Sequence, residues 1–226
     1  MQNQLESSGG DIMEIQGKVA IVFGAGSETG RTIALALAAK GASIVAADSD
    51  TPGGMETVRI MQGSRQALSA GAGNATFFHC DANKIDSLKH LFNVADRVFG
   101  GIDIVCNQVN TESNIDEWLG KAFKETLANN SADANGALGG TQQALHYMKR
   151  RGAGIVINVL SEASDEQHPN DIAVQTFKES CTVPAETDKI RINLVIEAKT
   201  ENAESTAATI VSLIENENSI GEVIRV

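Results

Sequence analysis

The run Val19-Ala20-Ile21-Val22-Phe23-Gly24-Ala25-Gly26-Ser27-Glu28-Thr29-Gly30 passes from five consecutive apolar residues into a turn that carries three glycines. A helix-period segment follows from Arg31. Strand, glycine turn and helix in this order make the local context of a phosphate-binding turn. Gly24 can form the tight turn, Gly30 allows helix and strand to approach closely, and the helix start offers unpaired N–H groups to a pyrophosphate. A sharp strand-to-helix turn with no ligand could use the same glycines. Asp48 tips the reading. It closes the next apolar run 18 residues beyond Gly30, where a carboxylate accepts hydrogen bonds from both hydroxyls of a ribose. No lysine or arginine directly follows Asp48, so a 2′-phosphate would meet negative charge there. NAD is therefore expected in preference to NADP.

Working outward, apolar runs rich in β-branched residues recur at Val19–Phe23, Ser43–Ala47, Thr76–Cys80, Ile102–Asn107, Gly154–Val159, Ile190–Val195 and Glu222–Val226. Between them lie helix-period segments at Gly30–Lys40, Met55–Ala70, Ile85–Val98, Ile115–Arg151 and Glu204–Asn216. Continuous rather than alternating apolar strands imply burial on both faces, as in a parallel sheet covered by helices. The expected fold is α/β: a doubly wound, Rossmann-like three-layer domain with a mostly parallel seven-stranded sheet. No repeat or linker divides residues 17–226, and the polar residues 1–16 are expected to form a loose N-terminal arm.

A net charge of −11 argues against nucleic acid or an anionic membrane as a partner, since both require clustered positive charge. No apolar run reaches the ~20 residues that span a bilayer, and no signal-peptide pattern opens the chain. A cytoplasmic protein is expected. The three cysteines and four histidines show no metal-ligand spacing. Lys149-Arg150-Arg151 reads as a solvated helix end, and Tyr147 as a structural residue of that helix.

The ordered motifs resemble the short-chain dehydrogenase/reductase family over residues 17–226. The glycine turn matches that family's T-G-x-x-x-G-x-G at its outer glycines, with Glu28 at the middle one. Cys80-Asp81-Ala82 is similar to the segment that contacts adenine. Asp103-Ile104-Val105-Cys106-Asn107-Gln108-Val109-Asn110 resembles D-I-L-V-N-N-A-G, with only Asn107 kept of the two asparagines. Gly154-Ile155-Val156-Ile157-Asn158-Val159-Leu160-Ser161 resembles G-R-I-V-N-I-S-S. The resemblance implies an oxidoreductase acting on a carbonyl or hydroxyl group. Gly24, Ser27, Gly30, Asp48, Asp81, Asn107 and Lys178 are the expected cofactor contacts, and Ser161, Lys178 and a relay asparagine, Asn130, the expected catalytic set. Counting back from Met148 places Asp133 at the relay position instead. A homo-oligomer, dimer or tetramer, is also implied. The helix that would form it carries Ala132, Ala134, Gly136, Ala137, Gly139 and Gly140, small residues that could equally pack on the sheet.

The resemblance fails at the catalytic acid. The family's tyrosine commonly follows its serine by 13 residues, and here that position is Val174, four before Lys178. Valine has no proton to donate, so the usual acid–base step is lost at this position. His168, in the Ser164–Asp171 loop with Asp165, Glu166 and Asp171, is the nearest substitute in sequence; the loop also reads as a plain hydrophilic one. The segment from Lys178 to Ile190 is short and contains Pro184. After Ile190–Val195 the family's P-G turn and substrate loop are replaced by Glu197-Ala198-Lys199-Thr200. A lid this short leaves a hydride-transfer site open to water. Two functions follow: an oxidoreductase of lost or weak standard activity, or a non-enzymatic protein that pairs with itself or a relative, or senses a cofactor.

Overall fold

The computed structural model describes residues 13–65, 73–109, 136–161, 174–175, 177–182, 189–198 and 202–226. Its elements run β1 (Val19–Phe23), α1 (Glu28–Ala39), β2 (Ser43–Asp48), α2 (Thr51–Arg65), β3 (Ala75–His79), α3 (Ile85–Phe99), β4 (Ile104–Val109), α4 (Gly136–Arg151), β5 (Gly154–Ser161), β6 (Ile190–Glu197), α5 (Ala203–Glu215) and β7 (Val223–Arg225). The seven strands form one sheet in the order β3-β2-β1-β4-β5-β6-β7. All of its pairings are parallel.

Alternate residues of each central strand feed opposite faces, as the two-residue pleat requires. Ala20 and Val22 of β1 pack with Ile33 and Leu37 of α1, Val58 and Met61 of α2, and Ile210 and Leu213 of α5. Ile21 and Phe23 pack instead with Leu88, Leu91 and Phe92 of α3, with Met148 of α4, and with Phe177 and Cys181. The domain is a three-layer α/β sandwich with a core on each side of the sheet. Tyr147 belongs to that second core, stacked on Phe92 at 5.8 Å between ring centroids, which agrees with a structural role.

Three expectations need correction. Met13–Gln16 are not part of a loose arm: Ile15 is buried, and the Met13 N–H donates to the Glu215 carbonyl at 3.1 Å. Arg151 is not merely solvated, since it donates to the Gly100 carbonyl and lies 3.4 Å from Asp103 Oδ1. Finally, β5 and β6 extend through Ser161 and Glu197, which pair with each other at the strand ends. Of the expected helix over 115–151, residues 115–135 lie outside the described residues.

Cys80, Cys106 and Cys181 are buried free thiols. Burial raises the pKa of each, that of Cys106 to about 12. The folded values exceed the unfolded one of about 8.5. The contribution to stability is therefore complete below that pH and is lost as pH rises toward the folded values. Native protein at pH 8 is expected to resist alkylation by iodoacetamide, while urea-unfolded protein takes up three labels by mass spectrometry. Rapid native labelling would contradict the burial.

Candidate functional site

The order of strands reverses between β1 and β4. A doubly wound sheet has its ligand crevice at that point, beyond the carboxyl ends of the strands. Gly24, the first residue past β1, has φ +68°, a left-handed conformation that only glycine adopts without cost. A Cβ on Gly30 would strike the Gly24 carbonyl, so α1 begins directly under the turn because this position is glycine. Ser27 caps the helix: its Oγ accepts the Gly30 N–H at 3.0 Å. Glu28 and Thr29 open α1, and no carbonyl of the helix can reach their N–H groups. Glu28 is exposed, and its charge at the helix start is favourable to the helix dipole.

Asp48 ends β2 against this turn. Its Oδ2 accepts the Gly26 N–H at 2.8 Å and its Oδ1 accepts the Asp50 N–H at 2.8 Å. Each oxygen retains a lone pair for a further donor. The start of α2 is seated on the same turn. Thr57 Oγ1 donates to the Ala25 carbonyl at 2.6 Å, and Arg31 reaches both Thr57 Oγ1 and the Gly26 carbonyl.

Gln108 closes the other side of the crevice. Its side chain fills the space that a Cβ on Gly24 would need. Ser27 Oγ lies 2.9 Å from Gln108 Oε1 and 2.8 Å from the Gly24 carbonyl oxygen, and its single proton serves one at a time. Sequence reasoning missed this residue. Its signal was the replacement of the second asparagine in the β4 motif by a longer amide.

Asp81 follows β3 and pairs with Lys84 at 3.0 Å while accepting the Asn83 N–H. The Lys84 hydrogen bond, then that of Asn83, lowers its pKa. Asn107 is buried within the sheet. Its Nδ2 donates to Thr141 Oγ1 of α4 and to Asn158 Oδ1 of β5, both at 3.1 Å. That places the side chain beneath α4, tying three elements together. A Cβ on Gly140 would strike Asn107, so this small residue of α4 packs on the sheet.

Ser161 is at the carboxyl end of β5, and its hydroxyl donates to Glu197 Oε2 at 2.9 Å. Glu197 Oε1 accepts from Thr29 Oγ1 at 2.9 Å and from Thr206 Oγ1 at 3.0 Å. The sequence reading marked Glu197 only as a replacement for the family's P-G turn; the structure adds its bond to Ser161. A lone carboxylate closing the apolar strand Ile190–Ile196 was the available signal. Residues 177–182 form a short helical segment whose Phe177 and Cys181 are buried. Val174 is half-buried and Lys178 exposed. Among the described residues, no hydrogen bond or ion pair joins Lys178 to Ser161 or Asp48. Its backbone lies against Gly221, which is level with Ile192, five residues or ~16 Å of strand below Glu197. Asn130, Asp133, Asp165, Glu166, His168 and Asp171 lie outside the described residues. No described helix is long and apolar enough to cross a membrane.

Comparison with known proteins agrees with this geometry. Residues 18–209 match the model of the short chain dehydrogenase family. An uncharacterized oxidoreductase of Thermotoga maritima is 31% identical over 153 residues, 67% of this chain and 56% of that protein. The 3beta-hydroxysteroid dehydrogenase 1 of Eggerthella lenta is 29% identical over 66% of this chain and 54% of its own length. The chain thus spans little more than half the length of these curated relatives. Two solved structures share the fold. A hydroxysteroid dehydrogenase from Escherichia coli has a TM-score of 0.69 at 19% identity, covering 94% of this chain and 96% of its own. A 7 alpha-hydroxysteroid dehydrogenase, complexed with NADH and 7-oxo glycochenodeoxycholic acid, has a TM-score of 0.72 at 19% identity and covers 94% of each chain. The chain belongs to the short-chain dehydrogenase/reductase family.

Proposed function

We propose that the protein binds NAD at the glycine turn and that its standard carbonyl–hydroxyl oxidoreductase activity is lost or weak. The observation that carries the binding is the Asp48 carboxylate, held against the Gly26 N–H at 2.8 Å beside a helix start with unpaired N–H groups. The fit is good. Gly26 lacks the Cβ that would crowd Asp48 Oδ2 at 3.1 Å, and the remaining lone pairs of Asp48 suit ribose hydroxyls. Two carboxylates, Asp48 and Asp50, close together at the end of β2 would repel a 2′-phosphate bound beside them, which supports NAD over NADP. Bound nicotinamide would supply hydride chemistry.

What this chain adds to that chemistry is reduced. Val174 offers no proton, and the Ser161 hydrogen points at Glu197 rather than toward a substrate oxygen. The P-G turn and substrate loop are gone, with only residues 198–202 between β6 and α5. Lys178, the expected ribose contact, has its backbone against Gly221 near the start of β6, away from the crevice, so we assign it no role there; Asn130 is assigned to the relay. The second reading, a non-enzymatic protein acting as a dimer or cofactor sensor, draws support from the same Ser161–Glu197 bond. Calorimetric titration of cofactor-stripped protein with NAD, NADH and NADPH tests the proposal. Micromolar binding of the NAD pair, with NADPH at least tenfold weaker, is expected. Absence of all binding would leave the interaction protein as the function.

A further inference from the structure

We propose that Glu197 makes its half of the crevice selective for the oxidised, cationic nicotinamide ring over the reduced, neutral one. This inference rests on the dinucleotide reading above. A dinucleotide lies across the point of strand reversal, with one half over β1–β3 and the other over β4–β6. Asp48 belongs to the first half. Ser161 and Glu197, paired at the ends of β5 and β6, form the floor of the second.

The polarity of that floor is unusual for a site built to hold a carbonyl oxygen, which needs donors. Glu197 receives three hydroxyl hydrogens, from Thr29 of α1, Ser161 of β5 and Thr206 of α5. Thr29 and Thr206 are themselves buried, so three elements hold the carboxylate in place. With its hydrogen directed at Glu197, Ser161 turns only lone pairs to a ligand. The floor therefore consists of acceptors and one negative charge. Among the described residues, no lysine or arginine forms an ion pair with Glu197.

Such a floor meets the two redox forms differently. Both rings carry a carboxamide whose N–H groups can donate to Ser161, so that contact does not discriminate. Only the oxidised ring carries a positive charge, and only that form gains from a partly buried carboxylate beside it. A ligand shifts an equilibrium only through its differential interaction with the two states, and here the differential is one charge.

Calorimetry at pH 7 with NAD+, NADH and ADP-ribose, on the wild type and on Glu197→Gln, tests this. The wild type is expected to bind NAD+ about tenfold more tightly than NADH, equivalent to about 1.4 kcal/mol. In Glu197→Gln, which keeps an acceptor oxygen for the threonines, the ratio falls to within about twofold while ADP-ribose affinity is unchanged. Equal wild-type affinities for NAD+ and NADH, or a preference that survives in Glu197→Gln, overturns the inference. If ADP-ribose still binds in that case, the dinucleotide reading stands without it. No binding of any of the three overturns both. The wild-type ratio needs no variant, so a glutamine variant that does not fold leaves the decision intact.

Discussion

Gly30→Ala is expected to abolish NAD binding and to lower Tm by roughly 9 °C. The added Cβ would sit 2.6 Å from the Gly24 carbonyl carbon and 3.0 Å from the Ala25 nitrogen, and would strike the Gly24 oxygen. These are backbone atoms, held by the Ala25 N–H bond to the Ala47 carbonyl and by the Ser27 N–H bond to the Gly24 carbonyl. No side-chain rotation relieves the overlap, so α1 or the turn must shift. Overpacking of this kind costs about 3 kcal/mol, and at this chain length each kcal/mol moves Tm by roughly 3 °C. Any shift also displaces the α1 N–H groups from the place a pyrophosphate would occupy. Thermal unfolding and calorimetry check both parts. A variant with wild-type affinity would show that the turn does not bind the phosphates.

Arg191→Ala should cost still more stability, about 4 kcal/mol. Arg191 is a buried residue of β6 whose guanidinium ties off the end of α5. Its Nη1 shares two hydrogens among the carbonyls of Leu213 at 2.9 Å and Asn216 at 2.6 Å and Ser219 Oγ at 2.9 Å, while Nη2 donates to the Ile214 carbonyl at 2.8 Å. A helix leaves its last four carbonyls unpaired, and here one cation satisfies several of them and opposes the dipole. Burial lowers the arginine's pKa, but a guanidinium stays charged throughout the accessible range. Removing it strands the Ile214 carbonyl at about 1–3 kcal/mol, leaves Leu213 and Asn216 only their bonds from Ser219, and empties the buried volume of the side chain. Arg191→Lys should recover little, because one ammonium cannot present the planar fork of donors that this arrangement uses. Urea denaturation measures both variants. A loss below 1 kcal/mol for alanine would mean that water replaces the guanidinium without penalty.

Much of the fold was legible because its signals are local. Strand β1 has the bounds its apolar run implied, and the glycine turn reads directly because Gly24 and Gly30 act on each other across six residues. Strand ends were less legible. Strands β5 and β6 continue into polar residues because Ser161 and Glu197 still pair across the sheet, a fact of registry that no single run displays. The site's side-chain bonds were the least legible. Gln108 meets Ser27 from 81 residues away, and Glu197 meets Ser161 from 36. Asn107 was read as a cofactor contact from its motif, yet its amide serves Thr141 and Asn158 inside the sheet. Arg191 interrupts the apolar run of β6, and nothing local in the sequence signals that its partners are the carbonyls at the end of α5.

The bond between Thr29 and Glu197 joins positions 168 residues apart, and this has a kinetic meaning. Contacts that span most of a chain are closed late, since the entropy of the intervening loop is lost before they repay it. During synthesis the glycine turn leaves the ribosome well before the carboxylate that borders the other half of the crevice, because 168 residues lie between Thr29 and Glu197. The two rims of the crevice are thus made far apart in time. A nascent chain can therefore fold the glycine turn before the carboxylate that will face it across the crevice has been made.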